Sequence, residues 1–462
     1  VLAAGKSVRV AEGGAPRLQV EITAPEDRTL NLSEVTYGNR GIYSGLVRNS
    51  GTITANSVVH TADGRILLKA SGDVALAAGS TVSASGAKAG SIEIDAGGNL
   101  TADGRVEANG DASAGGTLSL KAIIDNTLGT GSSLSASGTS GGEVAVVAGG
   151  TASVAGTLEA RGESGDGGKV IVAGNYTGLF DGARLDVSGA TNGGAILVGG
   201  DQQGASIVNA GVALPNSRRT YVDSNATLTA DATDTGNGGK IIVWSEETTR
   251  IYGAISAQGG PRAGDGGFVE TSSRGYLDVV STPLIGRNGT WLLDPESINI
   301  TGAQANITQT GAGDPGPIAF APTNPNTVTT INVAFINTAL NNGSNVTITT
   351  ASTGNTTPGD ITVSSAILKT ADGGAGNGSV LTLTADRDII VNSAIGSNIG
   401  TLGVTLNATR NISLNQGITT LGGAVNLTGV AVSAAAAGLI TTNGGAAWPK
   451  RRKVFVRRCS II

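Results

Sequence analysis

The chain has 462 residues, 73 of them glycine, with 14% charged and 3% aromatic residues, one cysteine, one histidine and a formal net charge of −5. So few aromatic side chains leave little material for the wide core of a globular enzyme. A single cysteine excludes a disulfide framework or a cysteine-based zinc cluster within one chain, and a single histidine excludes a His-rich metal site.

Collagen is excluded because Gly has no three-residue period. Disorder is excluded because 39% of the residues are hydrophobic and β-branched residues recur in short alternating runs. No apolar run approaches the ~20 residues that span a bilayer, so no membrane span is expected. The chain begins at Val1 without Met and shows no signal sequence. It therefore reads as an internal fragment whose missing signal peptide carries no information about location.

In chain order, short strand-like runs come first, at 7–10, 18–22, 30–35 and 41–47, punctuated by Gly, Asn and Pro as turns require. From Gly51 a two-strand module repeats. Its first strand centres on Ile53, Val82, Val106, Leu134 and Leu158, separated by 29, 24, 28 and 24 positions, and returns at Leu228 and Ile255. Its second strand recurs at 65–68, 91–94, 117–120, 143–146, 169–172, 240–243 and 267–270, after Gly-rich corners such as 162–168 and 189–194.

That period is the mark of stacked supersecondary units. Each strand turns one or two small apolar residues inward, and one coil cannot bury them alone. Stacking at ~4.8 Å joins them into a continuous ladder, while corner glycines permit positive φ and close backbone approach. The expected fold is all-β, a parallel β-helix with at most one short helix. At ~25 residues per coil the rod should run roughly 90 Å. A β-sandwich or propeller would want hairpin or aromatic blade motifs, and neither repeats.

Three regions are expected: a Gly-Gly-repeat array over 1–300 that ends in Trp291-Leu292-Leu293-Asp294-Pro295, a Thr/Asn-rich array over 301–445, and a basic tail over 446–462. Trp291 and the two leucines are expected to pack as an apolar plug, with Asp294-Pro295 ending the strand. The stretch 331–343 is the one helical segment, with Ile336, Ala339 and Leu340 on one face, and it should cap or decorate the rod. The tail carries 6 of the 30 basic residues, so without it the balance is 24 positive against 35 negative. Its abrupt onset and lone Cys459 read as a truncation or frame scar, with no nucleic-acid partner.

No catalytic, metal or cofactor site is expected. Enzymes on this fold that cut polysaccharides converge several acids on one face, whereas here Asp63, Asp73, Asp103, Asp166 and Asp265 each sit beside Gly as turn residues. Calcium-binding β-roll repeats need tandem nine-residue periodicity, which is missing. His60 reads as an ordinary strand residue. Sequons such as Asn175-Tyr176-Thr177, Asn225-Ala226-Thr227, Asn299-Ile300-Thr301 and Asn407-Ala408-Thr409 are frequent by composition alone.

Gly238-Gly239-Lys240-Ile241-Ile242-Val243-Trp244, Gly266-Gly267-Phe268-Val269-Glu270-Thr271-Ser272 and, above all, Trp291-Leu292-Leu293-Asp294-Pro295 with Ile298 and Ile300 resemble filamentous-haemagglutinin-like exoproteins of the two-partner secretion type. The stretches Ala339-Leu340 to Thr347 and Leu381 to Ile390 share the likeness, which extends to about Gly445. The resemblance implies a right-handed β-helix and a non-catalytic shaft of a secreted or surface-attached bacterial adhesin. It also implies export through an outer-membrane partner, and contacts with host surfaces, other bacteria or biofilm matrix. A stalk of a haemolysin or contact-dependent toxin is the alternative, and a polysaccharide-active enzyme the third. The family's secretion domain carries Asn-Pro-Asn-Gly and Asn-Pro-Asn-Leu, but the one Asn-Pro-Asn here, Asn324-Pro325-Asn326, is followed by Thr327. The export-recognition domain is therefore expected to be absent from this stretch.

Overall fold

The structure, a computed structural model, describes side chains over residues 64–303, 328–350, 358–373 and 378–444, and backbone strands alone within 7–54 and 447–451. The chain forms a parallel β-solenoid of about 13 turns, with a single α-helix among the described residues. Each coil of its first part has three strands where the sequence pattern revealed two. In one coil they are Thr117–Ala122, Asn126–Leu128 and Ser133–Ser135; in the next, Glu143–Ala148, Thr151–Val154 and Thr157–Glu159. The middle strand is short and holds polar residues such as Asn126, so alternation alone does not reveal it.

The first strands of all coils form one sheet of 15 strands, the long sheet, from Arg40–Ser44 to Ala447–Arg451. Its registered columns build the core. Ile66, Ile92, Leu118, Val144, Val170, Ile196, Ile241, Val269, Trp291, Val346, Leu381, Val404 and Val425 each pair with the next, and none is more than 1% exposed. At ~4.8 Å per coil, about 13 turns make a rod of roughly 60 Å, shorter than the spacing argument implied. Part of the difference is the excursion between coils at 199–216, which lengthens the chain without lengthening the stack.

The Gly-Gly corners have a specific cause. A Cβ built on Gly90, Gly116, Gly142, Gly168 or Gly194 would come 1.9–2.1 Å from the carbonyl oxygen of the corresponding glycine one coil earlier. None of these five has a positive φ. They form a column of backbone-to-backbone contacts that no side chain fits, so close approach and not conformational freedom selects glycine there.

At Trp291 the cross-section changes while the long sheet continues. Thr290–Leu293 pairs with Phe268–Thr271 on one side and Asn345–Thr349 on the other. The second sheet is rebuilt: Ile298–Thr301 pairs with Ile361–Val363 ahead of it and Thr329–Asn332 behind it. Thr329 therefore stands next to the first array, where its Oγ1 accepts the Leu277 amide at 3.0 Å. The chain thus steps forward one strand and returns to fill the gap.

The helix, Val333–Asn341, fills the corresponding place in the third wall. Asn332 caps it by accepting the Ala334 amide at 2.9 Å, and Asn342 and Gly343 end it, Gly343 with φ 82°. Its buried face is Ile336, Ala339 and Leu340, as the periodicity predicts. Contrary to expectation it is no cap: Thr282 of the first array donates to the Phe335 carbonyl at 3.1 Å, and Asn337 accepts the Leu368 amide of the second array at 2.9 Å.

The early runs are strands, of which Ser7–Gly13 and Arg17–Thr23 pair antiparallel. The basic tail does not break the pattern at once, because the backbone of Ala447–Arg451 pairs with Val425–Gly429 as the last strand of the long sheet.

Candidate functional site

The turn acids hold coil to coil. Asp73 Oδ1 accepts the Asn99 amide at 2.7 Å, Asn99 Oδ1 accepts the Asp125 amide at 3.3 Å, and Asp125 Oδ1 accepts the Thr151 amide at 2.6 Å. A second column runs from Asp166 through Asn192 and Asn237 to Asp265. Each carboxylate or amide satisfies a turn N–H one coil on. The Asp166 carboxyl lies below the usual range because Thr191 and Asn192 donate to it. Asp103 has its Oδ1 where a side chain on Gly129 would go, 1.8 Å from the built Cβ. Among the described residues no three His, Cys, Asp or Glu side chains are grouped to hold a metal ion. Asp63, His60 and Cys459 lie outside the described side chains.

The signature pentapeptide divides by face. Trp291 and Leu293, both 0% exposed, point into the core, and the indole Nε1 donates to Thr271 Oγ1 at 2.9 Å. Leu292 is buried on the opposite side of the strand, beside Glu270 in register. The Asp294 amide donates to Ser272 Oγ at 3.1 Å, and burial pushes its carboxyl up. Pro295 lies two residues beyond the end of the strand at Leu293 and contributes no N–H. Of the sequons, Asn175-Tyr176-Thr177 has its threonine shut in the core, bonded to Ser217 at 2.8 Å, whereas Asn225 is exposed.

The built feature lies on the outside of the long sheet. Ala145, Ile171, Leu197 and Ile242 form an outward apolar stripe, continued by Trp244 and covered by Ile207 and Leu214 of the excursion. The excursion has a short 3-10 turn, Gln202–Gly204, and an antiparallel pair, Val208–Asn209 with Val212–Ala213. Trp244 is pressed against its glycines: a Cβ on Gly204 would stand 2.6 Å from the indole. The Arg274 guanidinium lies 5.9 Å from the ring centroid.

No family model and no curated protein matches the chain.

Under the edge of the cover, the next position in the striped column is a carboxyl. Glu270 is 0% exposed, and both its oxygens face the Gln203 amide, at 3.0 and 3.1 Å. Burial pushes this carboxyl up to about 7, and the neighbouring Asp294 adds to the shift. At the other end of the cover a groove of about 400 Å³ opens between the sheet and the hairpin, lined by Lys69, Asp95, Lys121, Ile123, Val212 and Leu214 among others. Burial, with Glu93 nearby, raises the Asp95 carboxyl. Ile123 is 71% exposed at a corner where adjacent coils place Gly97 and Gly149.

Sequence reasoning missed the cover and Glu270. A signal existed: Asp166 and Asn192 bond across 26 positions, but Asn192 and Asn237 across 45. The surplus is the excursion. Also missed was an outer cluster on the second sheet, where Phe180 stacks on Tyr221 at 5.4 Å, Tyr252 meets Tyr221 edge-on, and the Tyr252 hydroxyl donates to Asp278 at 2.7 Å.

Proposed function

We propose that this chain is part of the non-catalytic β-helical shaft of a secreted bacterial adhesin of the filamentous-haemagglutinin-like type. In this reading it stands on the cell exterior after export through an outer-membrane partner. It attaches to host cells, other bacteria or biofilm matrix. The observation that supports the reading is the unbroken column from Ile66 to Val425. It makes the chain a stiff rod whose turn side chains are occupied in joining one coil to the next. Weak contacts repeated along such a rod gain through effective concentration.

The test is adhesion of beads coated with the purified chain to epithelial monolayers, to bacteria and to biofilm matrix, beside beads coated with an unrelated β-solenoid of similar length. Retention well above the control on at least one surface is expected. Retention equal to the control on all three, or new reducing ends released from a panel of uronate-containing polysaccharides, overturns the reading.

A further inference from the structure

The excursion 199–216 packs by apolar contact but is fastened by a carboxyl. Ile207, 1% exposed, seats on Ile171, Leu197 and Ile242, while the turn at Gln203 is held through Glu270. Gln203 itself has φ 52° and ψ 35°, a left-handed conformation that a side-chain-bearing residue keeps only where its surroundings impose it. We propose that this excursion is a releasable cover, latched by Glu270, that shields an apolar stripe of the long sheet in acid and uncovers it as the proton leaves the carboxyl.

The groups around Glu270 set the direction. From the cover comes one donor, the Gln203 amide, shared by both oxygens. From the preceding strand comes Lys240, whose Nζ is drawn to Asp201 of the cover at 2.7 Å. From its own turn comes the Ser272 hydroxyl, and from the next coil the buried Asp294 carboxyl, whose charge opposes ionisation. In register Glu270 stands between Ile242 and Leu292. Among the described residues no salt bridge reaches it. A carboxylate formed there has one amide and one hydroxyl in place of its water shell, which disfavours the charge. Opening the cover lets water in.

The sign follows from linkage. The closed cover holds the Glu270 proton up to about 7, whereas a solvated glutamate releases it near ~4.3. Opening therefore releases a proton between those two values. The opening equilibrium rises about tenfold per pH unit across that window and levels above it.

Hydrogen exchange of the full chain tests this through the amides of Gln203, Gly204 and Leu214, which bond to Glu270, Asp201 and Ile207 respectively. Corrected for intrinsic exchange, their protection should fall about fortyfold from pH 5 to pH 7 in the wild type. In E270Q, which keeps an acceptor for Gln203 but no titrating proton, it should stay level. Acrylamide quenching in a W291F/W448F background isolates Trp244, 2% exposed under the cover, and should deepen over the same range in that background but not with E270Q added. A wild-type protection that is flat from pH 5 to pH 7, or an equal fall in E270Q, overturns the proposal.

Discussion

Gly168 lies so close to Gly142 of the preceding coil that a Cβ on Gly168 would come 2.1 Å from the Gly142 carbonyl oxygen. The same relation repeats along the column, so the corner is fixed by main chain against main chain. Gly79 is the opposite case, with φ +77° and nothing within 4 Å of a built Cβ. G168A should lower unfolding stability by about 3 kcal/mol, because backbone must move to admit the methyl. G79A should cost roughly 1 kcal/mol, from conformation alone. Urea denaturation followed by circular dichroism measures both, and equal losses would contradict the assignment of two different causes.

The indole of Trp291 fills a place that the column from Ile66 to Val425 otherwise gives to Val, Ile or Leu, and its N–H donates to Thr271. T271V should destabilise by about 1–3 kcal/mol, by leaving that N–H buried and unbonded. W291F removes the donor together with part of the ring and should leave a small cavity. In W291F the further substitution T271V should therefore cost much less than it does alone. A double-mutant cycle by denaturant titration gives the coupling; additivity within about 0.5 kcal/mol would show the bond to be energetically idle.

Lys369 is fully buried, with Nζ 3.0 Å from the Leu340 carbonyl, 2.9 Å from that of Ala371 and 3.3 Å from Asp372. It satisfies the carboxyl end of the helix Val333–Asn341, where a cation also complements the helix dipole. K369M retains the stem but removes the cation from the Leu340 and Ala371 carbonyls and from Asp372. It should cost about 3 kcal/mol and concentrate the loss at the junction. Hydrogen exchange should show Val333–Asn341 deprotected and the Ile66–Val172 coils unchanged.

Acid should act oppositely on two parts of the molecule. Asp388 lies below the usual carboxylate range, first because Arg410 donates to it and also because the Asn411 amide does. A depressed carboxyl contributes stability above its unfolded value of ~3.9 that is lost as pH falls through the folded one. Thermal midpoints should therefore drop between pH 5 and pH 3. D388N, which has no proton to gain, should start lower at pH 5 and drop less. Glu270 has the reverse sign, its contribution being present in acid and lost as pH rises toward about 7. E270Q should accordingly gain on the wild type at pH 8, by up to about 3 kcal/mol for the coils that carry the cover.

Much of this molecule was written locally. Alternation around Ile92, Leu118 and Val144 gave strands, their spacing gave stacking, and 331–343 carried a helix with its buried face and stop. These are properties of neighbours in sequence, so one chain read alone determines them. The excursion, the returning strand at Thr329–Asn332 and the latch at Glu270 could not be reached in this way. Glu270 sits at an outward strand position, and the Gln203 turn that covers it comes from 67 positions earlier. Its chemistry depends on that cover, and so does the place of the helix within the wall depend on Thr282 and Leu368 meeting it from two arrays. A side chain's inward or outward direction is set by the period of the strand, but what lies on the outward side is set by segments distant in sequence, and only tertiary structure brings those together.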